Sequence, residues 1–286
     1  MRLYHNTMSL NVFRNYQKVL GKQAVAFNNI TTGEKLNTAK DNPNGVSKSE
    51  NMRLQIRSLQ MLERNVQDGI SMLQTANSGV DVITEHIERI RELTIQSGSV
   101  NGEQEKKIIQ DEINQMIAGI RTTVDGTEFN GNQLISFDEV TDNKKPKYKE
   151  MVSGVNVGEK VEIPMFNLSP EKLGNIGPGK SVATIDITKE GGKDEALNIL
   201  DSAVETLTSV NAKYGALQNR LDSLYSGNSE IGEAVTRGFS SITDADIAEE
   251  AMNIAKYDIL SQTSNAIMAQ TNDLPKDILR VLEKVR

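Results

Sequence analysis

A seven-residue repeat of apolar positions dominates the first half of the chain. It begins at Leu59, steps alternately by three and four residues, and continues to Ile90. Gly69 interrupts it, and we expect the neighbouring Ile70 to fill the gap. Such a repeat is typical of a long helix that packs against partner helices. The repeat consists of Leu59, Leu62, Val66, Gly69, Leu73, Ala76, Val80, Ile83, Ile87 and Ile90.

Two further segments carry matching apolar stripes. One follows a break rich in Gly and Ser at 97–102 and covers residues 104–124, and the other covers residues 200–224. Because each stripe needs an apolar partner, we predict an antiparallel helical bundle, or coiled-coil rod, of the three helices. The stripes consist of Ile109, Ile113, Met116, Ile117, Ile120 and Val124 in one, and Leu200, Ala203, Leu207, Val210, Tyr214, Leu217, Leu221 and Leu224 in the other.

Residues 137–192 interrupt the helical pattern. They contain four of the six prolines, of which Pro164, Pro170 and Pro178 predict turns, and a lysine-rich stretch at 144–149. The runs Val155–Ile163 and Val182–Ile187 alternate as strands do. The predicted fold class is therefore mainly α, a long antiparallel rod formed by the N- and C-terminal segments, with a small β-containing, hairpin-like central insert.

Both ends of the chain are helical in pattern but have weaker apolar stripes. After the rod is built, no obvious apolar core remains within the chain for residues 9–30 and 244–271. Helices that cannot bury an apolar face alone usually bury it in an assembly. We therefore predict a polymerisation core formed by Leu10, Phe13, Val19, Leu20, Phe27, Ile247, Ile254 and Ile259.

Composition and charge exclude several classes of function. The net charge is −7 and no basic cluster is present, which argues against a nucleic-acid partner. The chain has no cysteine, so disulfides and thiolate metal sites are excluded. No run approaches the roughly 18 apolar residues of a membrane span, so membrane insertion is not expected. The first twenty residues also lack the pattern of a cleaved secretory signal.

The sequence does not support metal-dependent proteolysis or nucleotide binding, the two chemistries that its motifs suggest. A zinc protease needs two His one helical turn apart, whereas His5 and His86 lie far apart in the chain. Residues 174–181 match the phosphate-loop spacing Gly-x4-Gly-Lys-Ser, but Pro178 removes an N–H there and no helix is predicted after Ser181. A turn between two strands is the better interpretation. We therefore predict no enzymatic activity, no metal and no cofactor.

Several segments resemble bacterial flagellin, the subunit of the flagellar filament, and follow the order of that family. They are ITTGEKLNTAKD at 30–41, NVQDGIS at 65–71, IERIRELTIQS at 87–97, TEFNG at 127–131 and GALQNRL at 215–221. The hook–filament junction protein, a structural relative with similar ends, is the alternative. The segments at 87–97 and 127–131 favour flagellin.

The resemblance implies a division of the chain into three parts. Residues 1–42 and 237–286 would form a terminal core domain, disordered in the monomer and helical in the filament. Residues 43–136 and 193–236 would form the rod, and 137–192 the variable insert. It further implies secretion to the extracellular flagellum without a cleaved signal peptide. The expected partners are further copies of the chain, an export chaperone, the filament cap and the hook–filament junction proteins.

The resemblance also implies a recognition surface near the end of the first rod helix. Arg89, Glu92, Leu93 and Gln96 lie on neighbouring turns of that helix, off its apolar stripe, and Glu112 lies on the next helix. The matching positions in flagellins contact the host Toll-like receptor and help to pack neighbouring protofilaments. On the residues alone, the same face is a solvated helix surface with i,i+3 and i,i+4 pairs.

Overall fold

A computed structural model describes residues 6–99, 102–137, 139–140, 142–154, 158–177 and 179–284, with the backbone alone at 275–279 and 281–284. It contains five helices: α1 (Thr7–Thr32), α2 (Pro43–Ser97), α3 (Glu103–Gly126), α4 (Gly192–Thr243) and α5 (Ile247–Lys284). Four short strands form two antiparallel hairpins: β1 (Glu128–Phe129) with β2 (Asn132–Gln133), and β3 (Lys147–Val152) with β4 (Lys160–Met165). A 3-10 turn covers Val182–Thr184. The mainly helical fold class predicted from the sequence is confirmed.

Contacts divide the chain into two compact units, one of Met1–Ile56 with Glu233–Arg286 and one of Arg57–Gly232. The larger unit holds most of α2 and α4, all of α3, and the insert. Its core consists of the predicted stripes: every position of the α2 repeat from Leu59 to Ile90 is buried, as are Ile113 on α3 and Tyr214 on α4. Leu224, at the end of the α4 stripe, is half-buried.

The three helices of the larger unit pack antiparallel, as predicted. Arg91 pairs with Asp201 at 2.7 Å, and Asn211 Nδ2 donates to Asp81 Oδ1 at 3.2 Å. Position numbers therefore fall along α4 as they rise along α2. Gly69 deviates from the prediction: Ile70 is buried, but the Met151 side chain of β3 occupies the space beside the glycine. A Cβ at Gly69 would lie 2.6 Å from the Met151 sulfur.

The insert differs from its prediction in both strands. β4 begins at Lys160 and ends at Met165, so it overlaps only the end of the predicted run, whose residues 155–157 lie outside the described part of the chain. Pro164 lies within β4 rather than in a turn, which a two-stranded sheet tolerates because one side of each strand is unpaired. β3 was not predicted, because five of its six side chains are exposed and three of them are charged.

The predicted strand at Val182–Ile187 is wrong. Ser181 N donates to Thr184 Oγ1 at 3.0 Å and Thr184 N donates to Ser181 O at 2.9 Å, so a local turn replaces strand pairing. The amide of Gln110 on α3 then bonds the backbone on the far side of the turn: its Nε2 donates to Ile185 O and its Oε1 accepts from Ile187 N, both at 2.9 Å. The apolar alternation reflects burial against the helices rather than a sheet.

Gly174 fixes the contact between the insert and α4, and its replacement should destabilise the larger unit. Its φ is +68°, and an added Cβ would lie 2.6 Å from the backbone oxygen of Ile199. Gly174→Ala should therefore lower the free energy of unfolding by about 2–5 kcal/mol, combining left-handed strain with backbone crowding. Gly179→Ala is the matched control, because φ there is +79° with nothing within 4 Å. Urea unfolding of both variants measures the difference, and equal losses would contradict the crowding.

Candidate assembly and recognition surfaces

The smaller unit joins the two ends of the chain as an antiparallel pair of helices. Asn6 Nδ2 donates to Thr271 O at 2.7 Å at one end, and Asn29 Nδ2 donates to Glu250 Oε1 at 2.8 Å near the other. Beyond Asn29, two backbone bonds close the pair: Lys35 N to Thr243 O at 2.7 Å and Ala245 N to Gly33 O at 2.9 Å. These bonds set the register of α1 against α5.

The stripe that faces the partner helix mixes polar and apolar side chains on α1 and is mostly polar on α5. On α1 the less exposed positions alternate by three and four residues, and on α5 they do so almost throughout, as expected for paired helices. Ala26 is the one buried apolar side chain among the described residues of this unit. The stripes are Ser9, Val12, Tyr16, Val19, Gln23 and Ala26 on α1, and Glu250, Asn253, Tyr257, Ser261, Ser264, Met268 and Thr271 on α5.

The large apolar side chains of α1 lie outside this stripe and are exposed. Phe13, Leu20 and Phe27 follow each other at seven-residue intervals, each one position after a residue of the inner stripe, and Leu10 extends the row. This second row, which we call the outer face of α1, has the same seven-residue period as the inner one and remains exposed. Val19 belongs to the inner stripe and is half-buried.

The α5 helix also leaves large apolar side chains exposed, and we call this set the outer face of α5: Ile247, Met252, Ile259, Leu260, Ile267 and Leu274. Ile247 and Ile259 are exposed, whereas Ile254 is half-buried beside the inner stripe. Further exposed apolar residues lie outside the predicted polymerisation core: Met8 and Val25 on α1, and Met252, Leu260, Ile267 and Leu274 on α5. Of these, Leu260, Ile267 and Leu274 follow each other at seven-residue intervals, a spacing that can be read from the sequence. Soluble monomers rarely expose apolar surface in such continuous rows.

Arg89 is the centre of a charged cluster that joins α2 to α3. Its guanidinium donates to Glu92 at 3.0 Å on its own helix and to Glu112 at 2.9 Å on the next. All three side chains are substantially exposed. The bond to Glu112, and then that to Glu92, raises the pKa of Arg89. The two bonds orient the guanidinium on the surface of the larger unit.

The structure brings together three of the five residues predicted for this surface, Arg89, Glu92 and Glu112. Gln96 is exposed two turns further along α2. The prediction that Leu93 lies off the apolar stripe is wrong, because its side chain is 1% exposed and belongs to the core of the larger unit. The stripe shifts from the 3–4 repeat at this end of α2, where Leu93 follows Ile90 by three residues and Thr94 is also buried. Leu93 supports the charged surface from beneath.

The described residues of the phosphate-loop match and His86 take part in structural contacts. Lys180 of the Gly-Lys-Ser match pairs with Glu195 at 2.9 Å, and Ser181 closes the 3-10 turn; Pro178 lies outside the described residues. His86 is half-buried beside Gly119 of α3, and His5 also lies outside the described part. No cluster of metal-ligating side chains occurs among the described residues. Within the same part of the chain, no helix combines the length and apolar character needed to cross a bilayer.

A bundle of long helices whose paired ends leave rows of large apolar side chains uncovered defines a self-assembling helical subunit. Residues 3–139 match the N-terminal helical region of bacterial flagellin, and residues 197–282 match its C-terminal helical region. The chain therefore belongs to the bacterial flagellin family, and it is a structural subunit of the flagellar filament.

Individual relatives agree with this assignment over almost the whole chain. The flagellin of Bacillus subtilis is 33% identical, with 99% of this chain and 100% of the relative covered. The flagellin of Halalkalibacterium halodurans is 31% identical with the same coverage. A solved structure from Vibrio parahaemolyticus, described as that of a hook-associated protein of the flagellum, has a TM-score of 0.62 at 17% identity and covers 71% of this chain and 100% of its own. That likeness concerns the fold alone.

Proposed function

We propose that this flagellin polymerises through the outer faces of α1 and α5, while the larger unit forms the rod that carries the insert. The observation that carries the proposal is the second, exposed apolar row on each terminal helix. In an open helical assembly the same patch of each copy meets a different patch of the next, so contacts repeat without closing. Two rows on one helix supply the two contacts: the inner stripe pairs α1 with α5, and the outer face remains for neighbouring copies.

The two units differ in how much apolar surface they bury, and this difference explains why assembly should use the terminal helices. Burying a large apolar side chain completely contributes about 1.5–3 kcal/mol, so covering the exposed half of each outer-face residue contributes about 1 kcal/mol apiece. The larger unit has already gained this energy within its own core, whereas the smaller unit buries one alanine among its described apolar residues. The terminal helices therefore have the most to gain from association.

Replacing the two phenylalanines of the outer face tests the proposal. Phe13 is 42% exposed and Phe27 is 51% exposed, so neither contributes to a closed core. Phe13→Ser/Phe27→Ser should raise the critical concentration for polymerisation about thirtyfold, because it removes about 2 kcal/mol of burial per subunit. Pelleting of filaments over a series of protein concentrations gives the value.

A matched pair in the insert provides the control. Tyr148 and Ile176 are 58% and 50% exposed, and Tyr148→Ser/Ile176→Ser removes a similar apolar area. This control should polymerise at the wild-type concentration. If the two double variants polymerised alike, the outer face of α1 would not be the assembly surface.

Further functions of the chain are part of the proposal. We infer export without a cleaved signal peptide to the extracellular flagellum, with an export chaperone on the C-terminal helix, and contacts with the filament cap and the hook–filament junction proteins. Arg89, Glu92, Gln96 and Glu112 are the proposed contacts for the host Toll-like receptor. This assignment is supported by the exposure of the charged cluster on α2 and α3 and by the ion pairs that orient Arg89.

The alternative role is that of a hook–filament junction protein, and the two roles differ in whether the assembly elongates. A junction protein is incorporated in few copies, whereas a filament subunit elongates. Electron microscopy of the purified chain under polymerising salt should show long filaments. Short rings or caps without elongation would favour the junction role.

A further inference from the structure

The two terminal helices carry opposite charge. Between Thr7 and Thr32, α1 has three basic residues and no acidic one. From Ile247 to residue 274, α5 has four acidic residues and one basic one. The bases Arg14, Lys18 and Lys22 are four positions apart, so they share one face of α1, and all three are exposed. We call this the basic face of α1.

The basic face has no paired counter-ion in the described part of the chain. No ion pair between described residues involves Arg14, Lys18 or Lys22. Two of the four acids on α5 accept hydrogen bonds from α1: Glu250 accepts from Asn29, and Asp258 accepts from Gln23. Glu249 is exposed and, among described residues, its carboxylate has no hydrogen bond or ion pair.

Distance along the helices excludes pairing of these groups in one copy. The bond from Asn29 to Glu250 places those two residues at one level of the antiparallel pair. Glu249 is then level with position 30, about 12 Å from Lys22 and about 18 Å from Lys18 at 1.5 Å per residue. An ion pair therefore needs a copy displaced along the helix axis, which an open helical assembly provides.

The basic face borders a groove between α1 and α5. Its volume is about 500 Å³; Lys18, Gly21 and Lys22 lie on its α1 side, and its α5 side is lined by Glu250, Asn253 and Tyr257. Gly21 leaves the groove open, since nothing lies within 4 Å of the position that a Cβ would take. Met252 lies one turn after Glu249 on the same face of α5 and is 67% exposed. The Glu249 carboxylate is complementary in charge to Lys18 and Lys22, and the flexible apolar side chain of Met252 suits the open groove beside them.

We propose that the basic face of α1 binds the start of α5 from a second copy of this chain, with Glu249 between Lys18 and Lys22 and Met252 in the groove at Gly21. The proposal rests on the proposed assembly through the terminal helices and adds its charged contact and its axial offset. Ion pairs that become covered on association fix register and partner choice. The outer face supplies apolar burial, and the basic face selects which part of the neighbour it meets.

Charge reversal in the full-length chain tests the proposal. Lys18→Glu/Lys22→Glu should raise the critical concentration for polymerisation at least tenfold at low salt, because two attractive contacts become repulsive. The effect should shrink in high salt, where the screening length falls to a few ångströms. Adding Glu249→Lys to the same chain should restore much of the polymerisation, since every copy then carries the swapped pair.

Controls separate this contact from general charge effects and from the proposed function. Lys144→Glu/Lys145→Glu makes the same change in net charge on two exposed lysines of the insert and should polymerise as wild type. Circular dichroism of each variant checks that its helices form. Wild-type polymerisation by Lys18→Glu/Lys22→Glu, or no recovery in the triple variant, would overturn the charged contact. If Phe13→Ser/Phe27→Ser also polymerised normally, the assembly surface itself would be wrong.

Discussion

Removal of residues 1–42 should yield a folded, soluble monomer that forms no filaments at any accessible concentration. The deletion takes away all of α1, and with it the outer face, the basic face and the inner partner of α5. The core of the larger unit lies within Arg57–Gly232 and loses none of its buried side chains. Assembly should therefore be abolished while the stability of the rod is retained.

Thermal unfolding and pelleting together measure this result. The truncated chain should keep the cooperative unfolding transition of the larger unit within a few degrees of the intact monomer. Pelleting and electron microscopy should show monomer only. Filaments from the truncated chain, or loss of the transition, would contradict the division of labour between the two units.

The terminal segments should also differ in conformation between the free monomer and the filament. Fixing a residue costs about 1–2 kcal/mol of backbone entropy, and the smaller unit has little buried apolar surface to offset it. We therefore expect the terminal segments to be disordered in the free monomer and to adopt the paired helices α1 and α5 in the filament. The export of an unfolded chain through a narrow channel would use the same property.

The helical rod could be predicted from the sequence because its signal is repetitive. An apolar residue every three or four positions over three or more turns indicates a buried stripe whatever the neighbours are. The stripes of α2, α3 and α4 were found in this way. The rows at Phe13, Leu20 and Phe27 were found too, but their separation from the inner stripe of α1 was not, because both rows have the same period and differ only by one position.

The paths of two segments of the insert and the burial of one site residue could not be predicted, because their signals are not repetitive. The path of 182–187 depends on Gln110, which lies more than seventy residues earlier and is supplied by another element. β3 is paired to β4 by backbone bonds, and its exposed side chains carry no pattern. Leu93 lies one position before Thr94, where the 3–4 spacing continues after Ile90, so the spacing alone did not show that Leu93 is buried. Long-range contacts decide all three.

Replacement of Arg89 by Ala should reduce receptor signalling by the monomer about thirtyfold or more. Arginines that are held in place at the centre of an interface commonly contribute 2 kcal/mol or more to binding, and Glu92 and Glu112 hold this one. The side chain is exposed and outside the core, so the variant should fold normally. A dose–response curve in receptor-bearing reporter cells measures the change.

Two other substitutions show whether the guanidinium itself is recognised. Glu112→Gln keeps a hydrogen-bond acceptor beside Arg89 but removes the charge, so its loss should be smaller. Arg121→Ala removes an exposed arginine of α3 that pairs with Glu171 away from the cluster, and it should signal as wild type. Equal potency of Arg89→Ala and Arg121→Ala would exclude the Arg89 surface as the receptor contact.

Leu93→Ala needs a different interpretation from the one that the sequence suggested. Its side chain is 1% exposed, so truncation leaves a cavity in the core and should cost about 2–5 kcal/mol of stability. Reduced signalling by this variant would follow from distortion or unfolding of α2 and would not identify a contact.

Gln96→Ala is the informative change at this end of the surface, because it removes an exposed side chain from the same helix without opening the core. A loss of potency with an unchanged unfolding midpoint would extend the receptor surface from Arg89 to Gln96, and unchanged potency would confine it to the charged cluster.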